Sequence, residues 1–453
     1  MMKRSALSKA ISGALGAVLL VIAGCAPHRS PSIELPRPTG PYAIGTTDIY
    51  LVDTEREETF TPEPSDHREV ALRVWYPAEV PEEGRPVSYM EYAQEKKRAL
   101  SGRTPFPPSA FHELDRVRSH SYRDAGLPMG QGLFPILIFS HGYAAGMTQS
   151  TVLMEELASH GYVVVSVGHA YETSHFVRPD GTIKVFDPQN EELLLRAKER
   201  GDALPIQQAI SKTEDRQEVE ALLRALASRR PKTLESLEIW VQDISFVIDE
   251  LEGMNREAGI FHGRLDTGRI GVLGHSFGGS AAGQACLIDD RCRAGVNIDG
   301  LQLGDLLERN LMRPFMFIHH DNLEAPNKMP NRLFFERAEG PAYLVLVAGT
   351  RHFNFSDMSL PGFGELLGLP PEALGTIDGL RCLRIQNDYI RAFFDKHLSG
   401  RDSGLLDGPS PDYPEVEISV RNADRDYEPS PALTSGHWLT VREVSASRFD
   451  ASA

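Results

Sequence analysis

The segment that most restricts what this chain can become is a strand that runs without a break into a glycine-flanked serine. Residues 269–273 have strand composition, Gly274-His275-Ser276-Phe277-Gly278-Gly279 follows at once, and Ser280-Ala281-Ala282-Gly283 opens a helix. A serine forced onto a tight turn between a strand and a helix needs small neighbours two residues to either side, because the two backbones crowd each other there. Gly274 and Gly278 meet that demand, and Gly279 and Gly283 keep the start of the helix slim. The pattern G-x-S-x-G carries information because of this strand-turn-helix setting, which makes Ser276 the candidate nucleophile.

Around the turn, runs of strand composition recur at 48–52, 70–76, 134–139, 162–167, 270–273, 294–298, 314–318 and 342–347. Several are continuous apolar runs, the signature of parallel strands buried on both faces. Helical periodicity falls between them at 150–159, 234–251 and 381–397. This alternation predicts an α/β protein with a mostly parallel, doubly wound sheet, the α/β-hydrolase fold. Residues 171–233 interrupt the rhythm with a highly charged stretch and two helical patterns, at 191–200 and 218–228. They read as a helical cap over the carboxyl edge of the sheet, the alternative being a solvated excursion without a role in substrate choice.

The ends of the chain differ from its body. Lys3, Arg4 and Lys9 precede an apolar stretch over 14–23, too short for a comfortable membrane span, and Val21-Ile22-Ala23-Gly24-Cys25 closes it. This resembles the lipobox of a bacterial lipoprotein and predicts a signal peptide over 1–24 with Cys25 acylated. Residues 25–40, rich in Pro, Ser and Arg, read as a tether, the hydrolase domain as 41–400, and 401–453 as a polar extension with one edge strand at 415–420. The expected location is the periplasmic face of a bacterial membrane, with the membrane itself a partner through the lipid anchor. Ala26, not Asp, follows the cysteine, which resembles the sorting pattern for the outer membrane. The net charge of −16 argues against a nucleic-acid partner, since a polyphosphate binder presents a basic face. Of the other cysteines, Cys286 and Cys292 could close a small loop in an oxidising compartment, or all three, with Cys382, are buried thiols. No Cys-x-x-Cys or His-rich ligand set occurs, so neither a metal nor a cofactor is expected.

A serine hydroxyl is a weak nucleophile and needs a base within hydrogen-bond reach and an acid that orients the base. In α/β hydrolases the chain order is Ser, acid, His. His352 follows the last core strand in Ala348-Gly349-Thr350-Arg351-His352-Phe353-Asn354-Phe355 and is the candidate base. His319 and His320 read as polar residues ending a strand, and His397 and His437 as surface residues. Asp299 ends the strand after the nucleophile strand, and Asp321 ends the next; position alone does not choose the acid between them. For the oxyanion hole, one backbone N–H comes from Phe277. The second is expected from Tyr143 in Phe139-Ser140-His141-Gly142-Tyr143-Ala144-Ala145-Gly146, where Gly142 lets the chain turn.

Four segments together resemble the plasma-type platelet-activating-factor acetylhydrolase family: Phe139-Ser140-His141-Gly142, Gly274-His275-Ser276-Phe277-Gly278-Gly279, Asn297-Ile298-Asp299-Gly300 and Gly349-Thr350-Arg351-His352-Phe353-Asn354-Phe355. They stand in the family's order and cover the chain from about residue 41 to 400. The resemblance implies Ser276 as nucleophile, Asp299 rather than Asp321 as acid, His352 as base, Tyr143 and Phe277 as oxyanion donors, and no calcium requirement. It implies a serine carboxylic-ester hydrolase acting on short-acyl esters, such as the sn-2 acyl groups of modified phospholipids. The chain departs from the family where Gly300-Leu301-Gln302 follows the acid and throughout the cap. A lipase or polyester-type hydrolase, and a non-catalytic envelope lipoprotein that keeps the fold, are the competing expectations.

Overall fold

The computed structural model describes residues 33–80, 83–100, 107–321 and 328–421. The expected signal peptide, Cys25 and His437 lie outside the described residues. Thirteen strands are described: β1 (Ala43–Glu57), β2 (His67–Ala78), β3 (Pro86–Ser88), β4 (Arg118–Arg123), β5 (Phe134–Ser140), β6 (Val163–His169), β7 (His175–Val177), β8 (Ile183–Val185), β9 (Leu265–His275), β10 (Cys292–Ile298), β11 (Phe315–His320), β12 (Ala342–Val347) and β13 (Val416–Arg421). All but the small β7–β8 hairpin join one sheet in the order β13-β12-β11-β10-β9-β5-β6-β2-β1-β4-β3. From β6 through β12 the pairing is parallel, while β2 and β13 flank that block antiparallel.

The helices are α1 (Ala93–Leu100), α2 (Pro108–Arg116), α3 (Thr151–Ser159), α4 (Glu191–Asp202), α5 (Leu204–Ile210), α6 (Arg216–Ser228), α7 (Pro231–Arg256), α8 (Phe277–Ile288), α9 (Lys328–Arg337), α10 (Phe363–Leu366) and α11 (Gly379–Ser399). Side chains alternate across the parallel strands, and both faces are apolar. Ile136, Ile138, Phe315 and Phe317 pack with Trp240 of α7 and Ala281 of α8 on one face. Leu137, Phe139, Met316 and Ile318 pack with Leu157 of α3 and Phe393 of α11 on the other. The elements begin where side chains satisfy free backbone N–H groups: Asn190 accepts from Glu192 and Leu193 at the start of α4, Asp215 from Glu218 at α6, and Asp378 from Arg381 at α11. Gly400, at φ 67°, ends α11 in the left-handed conformation that glycine adopts without a Cβ clash.

Two expectations are corrected. Packing begins before residue 40, since Leu35 is buried and Thr39 N donates to Glu156 at 2.8 Å. His397 is half-buried, with Nε2 3.1 Å from Tyr343 Oη and its ring against Phe393, because this stretch of α11 turns toward the sheet. The strand expected at 415–420 extends the sheet as β13. Cys286 at the end of α8 and Cys292 at the start of β10 form a disulfide, and Cys382 is a buried thiol.

Candidate active site

The turn after β9 is as tight as its sequence implies. Ser276 sits at φ 57°, ψ −119°, and its N–H donates to Ile298 O at 2.8 Å. A positive φ in a non-glycine residue is strained, and such strain persists where the surrounding structure over-determines it. Here the crowding is measurable: a Cβ on Gly274 would lie 2.2 Å from Gly278 O, and one on Gly278 would lie 2.0 Å from Ser140 O. Any side chain at either position would push the serine turn off β5.

His352 follows β12, and its Nε2 lies 3.0 Å from Ser276 Oγ. Its Nδ1 lies 2.5 Å from Asp299 Oδ2. Asp299 follows β10 at φ 54°, a second strained residue, and its side chain is wholly buried. Asp321 stands apart: it is exposed, and its carboxylate accepts from Gly349 N at 3.1 Å. The loop after β12 is pinned in turn by Asp357, whose carboxyl group accepts from Thr151 N and Val152 N at the start of α3 and from Tyr89 Oη.

Three contacts at this site carry no local sequence signal. His320 is not merely a polar strand end: its N–H and Nδ1 lie 3.2 and 2.6 Å from Asp299 Oδ1, because the left-handed turn at Asp299 aims the carboxylate back over the end of β11. Burial raises the Asp299 carboxyl, but the hydrogen bonds from His320 and His352 outweigh it and hold the group well below the usual range. Burial likewise opposes charge on His320, yet its bond to Asp299 leaves that imidazole raised overall. Gln149 bridges two loops, its Oε1 accepting from Gly142 N at 2.8 Å and its Nε2 lying 2.6 Å from His275 Nδ1. His275 Nε2 reaches His352 O at 3.1 Å. Burial, then the neighbouring His352, push His275 down to about 3, so it is a neutral linker between the loop after β5 and the loop after β12.

Gly142 N is therefore engaged, and Ala144 N donates to Glu172 O. Among the described residues no hydrogen bond engages the N–H of Tyr143 or of Phe277. Behind them runs a fully buried chain: Asp243 Oδ2 is 2.8 Å from His169 Nδ1, and His169 Nε2 is 2.8 Å from Ser140 Oγ. Arg68 clamps Asp243 with two nitrogens, at 3.1 and 2.7 Å. His169 stacks on Trp240, which meets Phe277 edge-on and donates to Glu172. The expected cap segment holds the β7–β8 hairpin and helices α4 to α6, and reaches the loop after β5 through Phe186 and Arg200, both against the Tyr143 ring.

Comparison with known proteins gives a consistent picture. The sequence profile of the family described as "Platelet-activating factor acetylhydrolase, isoform II" matches residues 28–407. A platelet-activating factor acetylhydrolase of Bos taurus is 22% identical over 91% of this chain and 86% of its own length. A "Probable 1-alkyl-2-acetylglycerophosphocholine esterase" of Arthroderma benhamiae is 32% identical, over 40% of this chain and 48% of its own. Among solved structures, a ferulic acid esterase from Streptomyces cinnamoneus superposes with a TM-score of 0.63 at 26% identity, covering 85% of this chain and 99% of that one. The expected α/β-hydrolase fold and family resemblance are both met.

Proposed function

The chain belongs to the platelet-activating factor acetylhydrolase, isoform II family and is a carboxylic ester hydrolase; from that premise we propose that it cleaves short-acyl esters through an acyl-enzyme on Ser276. The observation that carries this reading is the continuous line from the Ser276 hydroxyl through His352 to the buried Asp299 carboxylate, at 3.0 and 2.5 Å. His352 Nε2 takes the Ser276 proton as Oγ bonds to the ester carbonyl carbon. Asp299 fixes the proton on Nδ1 and stabilises the imidazolium. The oxyanion rests on the N–H groups of Tyr143 and Phe277. Collapse breaks the bond to the alcohol, which leaves with the proton from His352. Water, deprotonated by the same imidazole, then releases the acid.

The substrates we propose are esters with short acyl chains, including sn-2 acyl groups of modified phospholipids; the names carried by the acetylhydrolase relatives support this class. We also propose export and anchoring through an acylated Cys25, a reading the Cys286–Cys292 disulfide supports, since such bonds persist in oxidising compartments. The test is labelling with a fluorophosphonate probe together with a series of p-nitrophenyl esters. Labelling should require Ser276 and vanish in Ser276→Ala, with kcat/KM falling as the acyl chain lengthens. A rise toward long chains would instead support a lipase-type enzyme, and absence of labelling would sink the catalytic reading.

A further inference from the structure

Tyr143 stands in a turn that is held from several sides. Ala145 N donates to Gly142 O at 2.9 Å, Ala144 N donates to Glu172 O at 2.9 Å, and Ala144 sits at φ 60°. Gly142, which opens the turn, lies directly against the nucleophile. A Cβ added to it would be 3.2 Å from His275 Nδ1, 3.4 Å from Ser276 Cβ and 3.5 Å from Gln149 Oε1. A glycine has no side chain of its own to restrict φ and ψ, so its backbone is fixed by what it bonds to. Here that bond is Gly142 N to Gln149 Oε1, at 2.8 Å. Rotation at Gly142 would change where the next N–H, that of Tyr143, points relative to Ser276.

Gln149 is itself placed by its backbone. Its N–H donates to Gly146 O at 3.0 Å, and its carbonyl accepts from Asp357 N at 3.0 Å, in the same loop as His352. The direction of its carboxamide follows from the hydrogen bonds around it. His275 Nε2 lies 3.1 Å from His352 O, a carbonyl that only accepts, so that nitrogen carries the proton of the neutral ring and Nδ1 accepts. The group 2.6 Å from Nδ1 is then the Gln149 NH2, which leaves Oε1 to face the Gly142 N–H. A flipped amide would set oxygen against a lone pair and NH2 against an N–H, losing both bonds. An apolar side chain of the same size would fill this half-buried position equally well. What the amide adds is one acceptor and one donor, aimed at the two segments that meet at Ser276.

We propose that Gln149 is a positioning residue for ester cleavage: its carboxamide fixes the backbone at Gly142 so that the Tyr143 N–H points at the oxyanion formed on Ser276. The role rests on the serine-esterase reading of Ser276. Gln149 touches no reacting atom; it acts through the Gly142 backbone, and His275 holds its amide in the one direction that serves.

The experiment uses the full chain with Gln149→Met, which keeps the bulk without the amide, and Gln149→Asn, which keeps the amide but is one methylene too short to span both partners. Turnover of p-nitrophenyl acetate should fall about tenfold to a hundredfold in each, the range expected when an oxyanion donor is misaimed and not removed, with KM within about threefold. Two further readouts separate positioning from a merely structural role. A short alkyl trifluoromethyl ketone adds to the serine: Oγ bonds to the carbonyl carbon, the carbonyl oxygen becomes the oxyanion, and the serine proton passes to His352. Its inhibition constant should rise by the same factor as kcat falls. The acid limb of the pH profile of kcat/KM, which reports the base, should stay in place. Turnover within about twofold of the wild type in either variant overturns the proposal. So does a loss of turnover with unchanged ketone affinity, or one accompanied by a moved acid limb, since Gln149 would then act through His352. If one variant does not fold, the other gives the same readings. A wild type that neither reacts with a fluorophosphonate nor binds the ketone would remove the esterase reading itself, whereas a reactive wild type with unimpaired variants removes only the role of Gln149.

Discussion

Replacing Asp299 with Asn tests the acid with little change in shape. Asp299 Oδ1 faces two groups of His320, its N–H at 3.2 Å and Nδ1 at 2.6 Å, so the amide oxygen of the asparagine is drawn to that side. Its NH2 group must then face His352 Nδ1, which becomes an acceptor and shifts the imidazole proton to Nε2, 3.0 Å from Ser276 Oγ. That tautomer cannot take the serine proton. The lost charge adds to the loss: about 4 Å between charges at an effective dielectric of about 20 is worth roughly 4 kcal/mol to the imidazolium. At about 1.4 kcal/mol per decade this is near 10³-fold in kcat, and the tautomer change carries the expected loss toward 10⁴. Steady-state hydrolysis of p-nitrophenyl acetate and the rate of fluorophosphonate labelling should fall together, with KM within a few-fold and the melting curve retained. Asp321→Asn, at an exposed site, should stay within about threefold. A loss below tenfold in Asp299→Asn, or an equal loss in Asp321→Asn, would refute the reasoning.

Further expectations follow from the same contacts. His320→Gln removes an imidazole that draws density from the Asp299 carboxylate, so the acid limb of the pH profile of kcat/KM should move up by as much as about one pH unit; a downward shift would count against this role. Burial, with a second imidazole nearby, holds His141 and His275 at about 3, so below about pH 6.5 the unfolded chain binds protons the folded one refuses, and stability must fall as the pH falls. Each residue should cost about 1.4 kcal/mol per pH unit in that window, visible as a decline in urea midpoint from pH 6 to 5; a flat midpoint would contradict it. Cys25→Ser should release the protein from the membrane fraction of a bacterial host, and retention there would exclude lipid anchoring through that cysteine.

What could be read in the sequence was whatever rests on local geometry. Gly274 and Gly278 announce Ser276 because their spacing is a steric requirement of one turn. Position alone left the acid undecided, and only the family resemblance chose Asp299, because Asp299 and Asp321 both follow apolar strands and what separates them is backbone direction. Asp299 at φ 54° turns inward to both histidines, whereas Asp321 remains on the surface. Gly300 did carry a signal for this, since a Cβ there would lie 2.1 Å from Ser276 O. The roles of Gln149, His275 and His320 were hidden because each depends on a partner brought near only by the sheet: Gln149 and His275 are 126 residues apart. The short strands β3 and β4 and helix α1 escaped for another reason. They are short, charged or half-exposed, so their periodicity is faint.

The buried Asp243–His169–Ser140 chain shows why a Ser–His–Asp pattern does not by itself make a nucleophile. Its distances, 2.8 and 2.8 Å, are as good as those at Ser276, yet all three residues are fully buried and Ser140 lies in the regular strand β5. An ester carbonyl cannot reach it. Ser276 differs in two physical respects: it is held on a strained turn at φ 57°, and it is partly exposed. The buried chain fixes the end of β5, from which the loop carrying the Tyr143 N–H departs. On the mechanism we propose, one Ser–His–Asp set holds the frame on which the other reacts, and access together with backbone strain, not hydrogen-bond pattern, sets their roles apart.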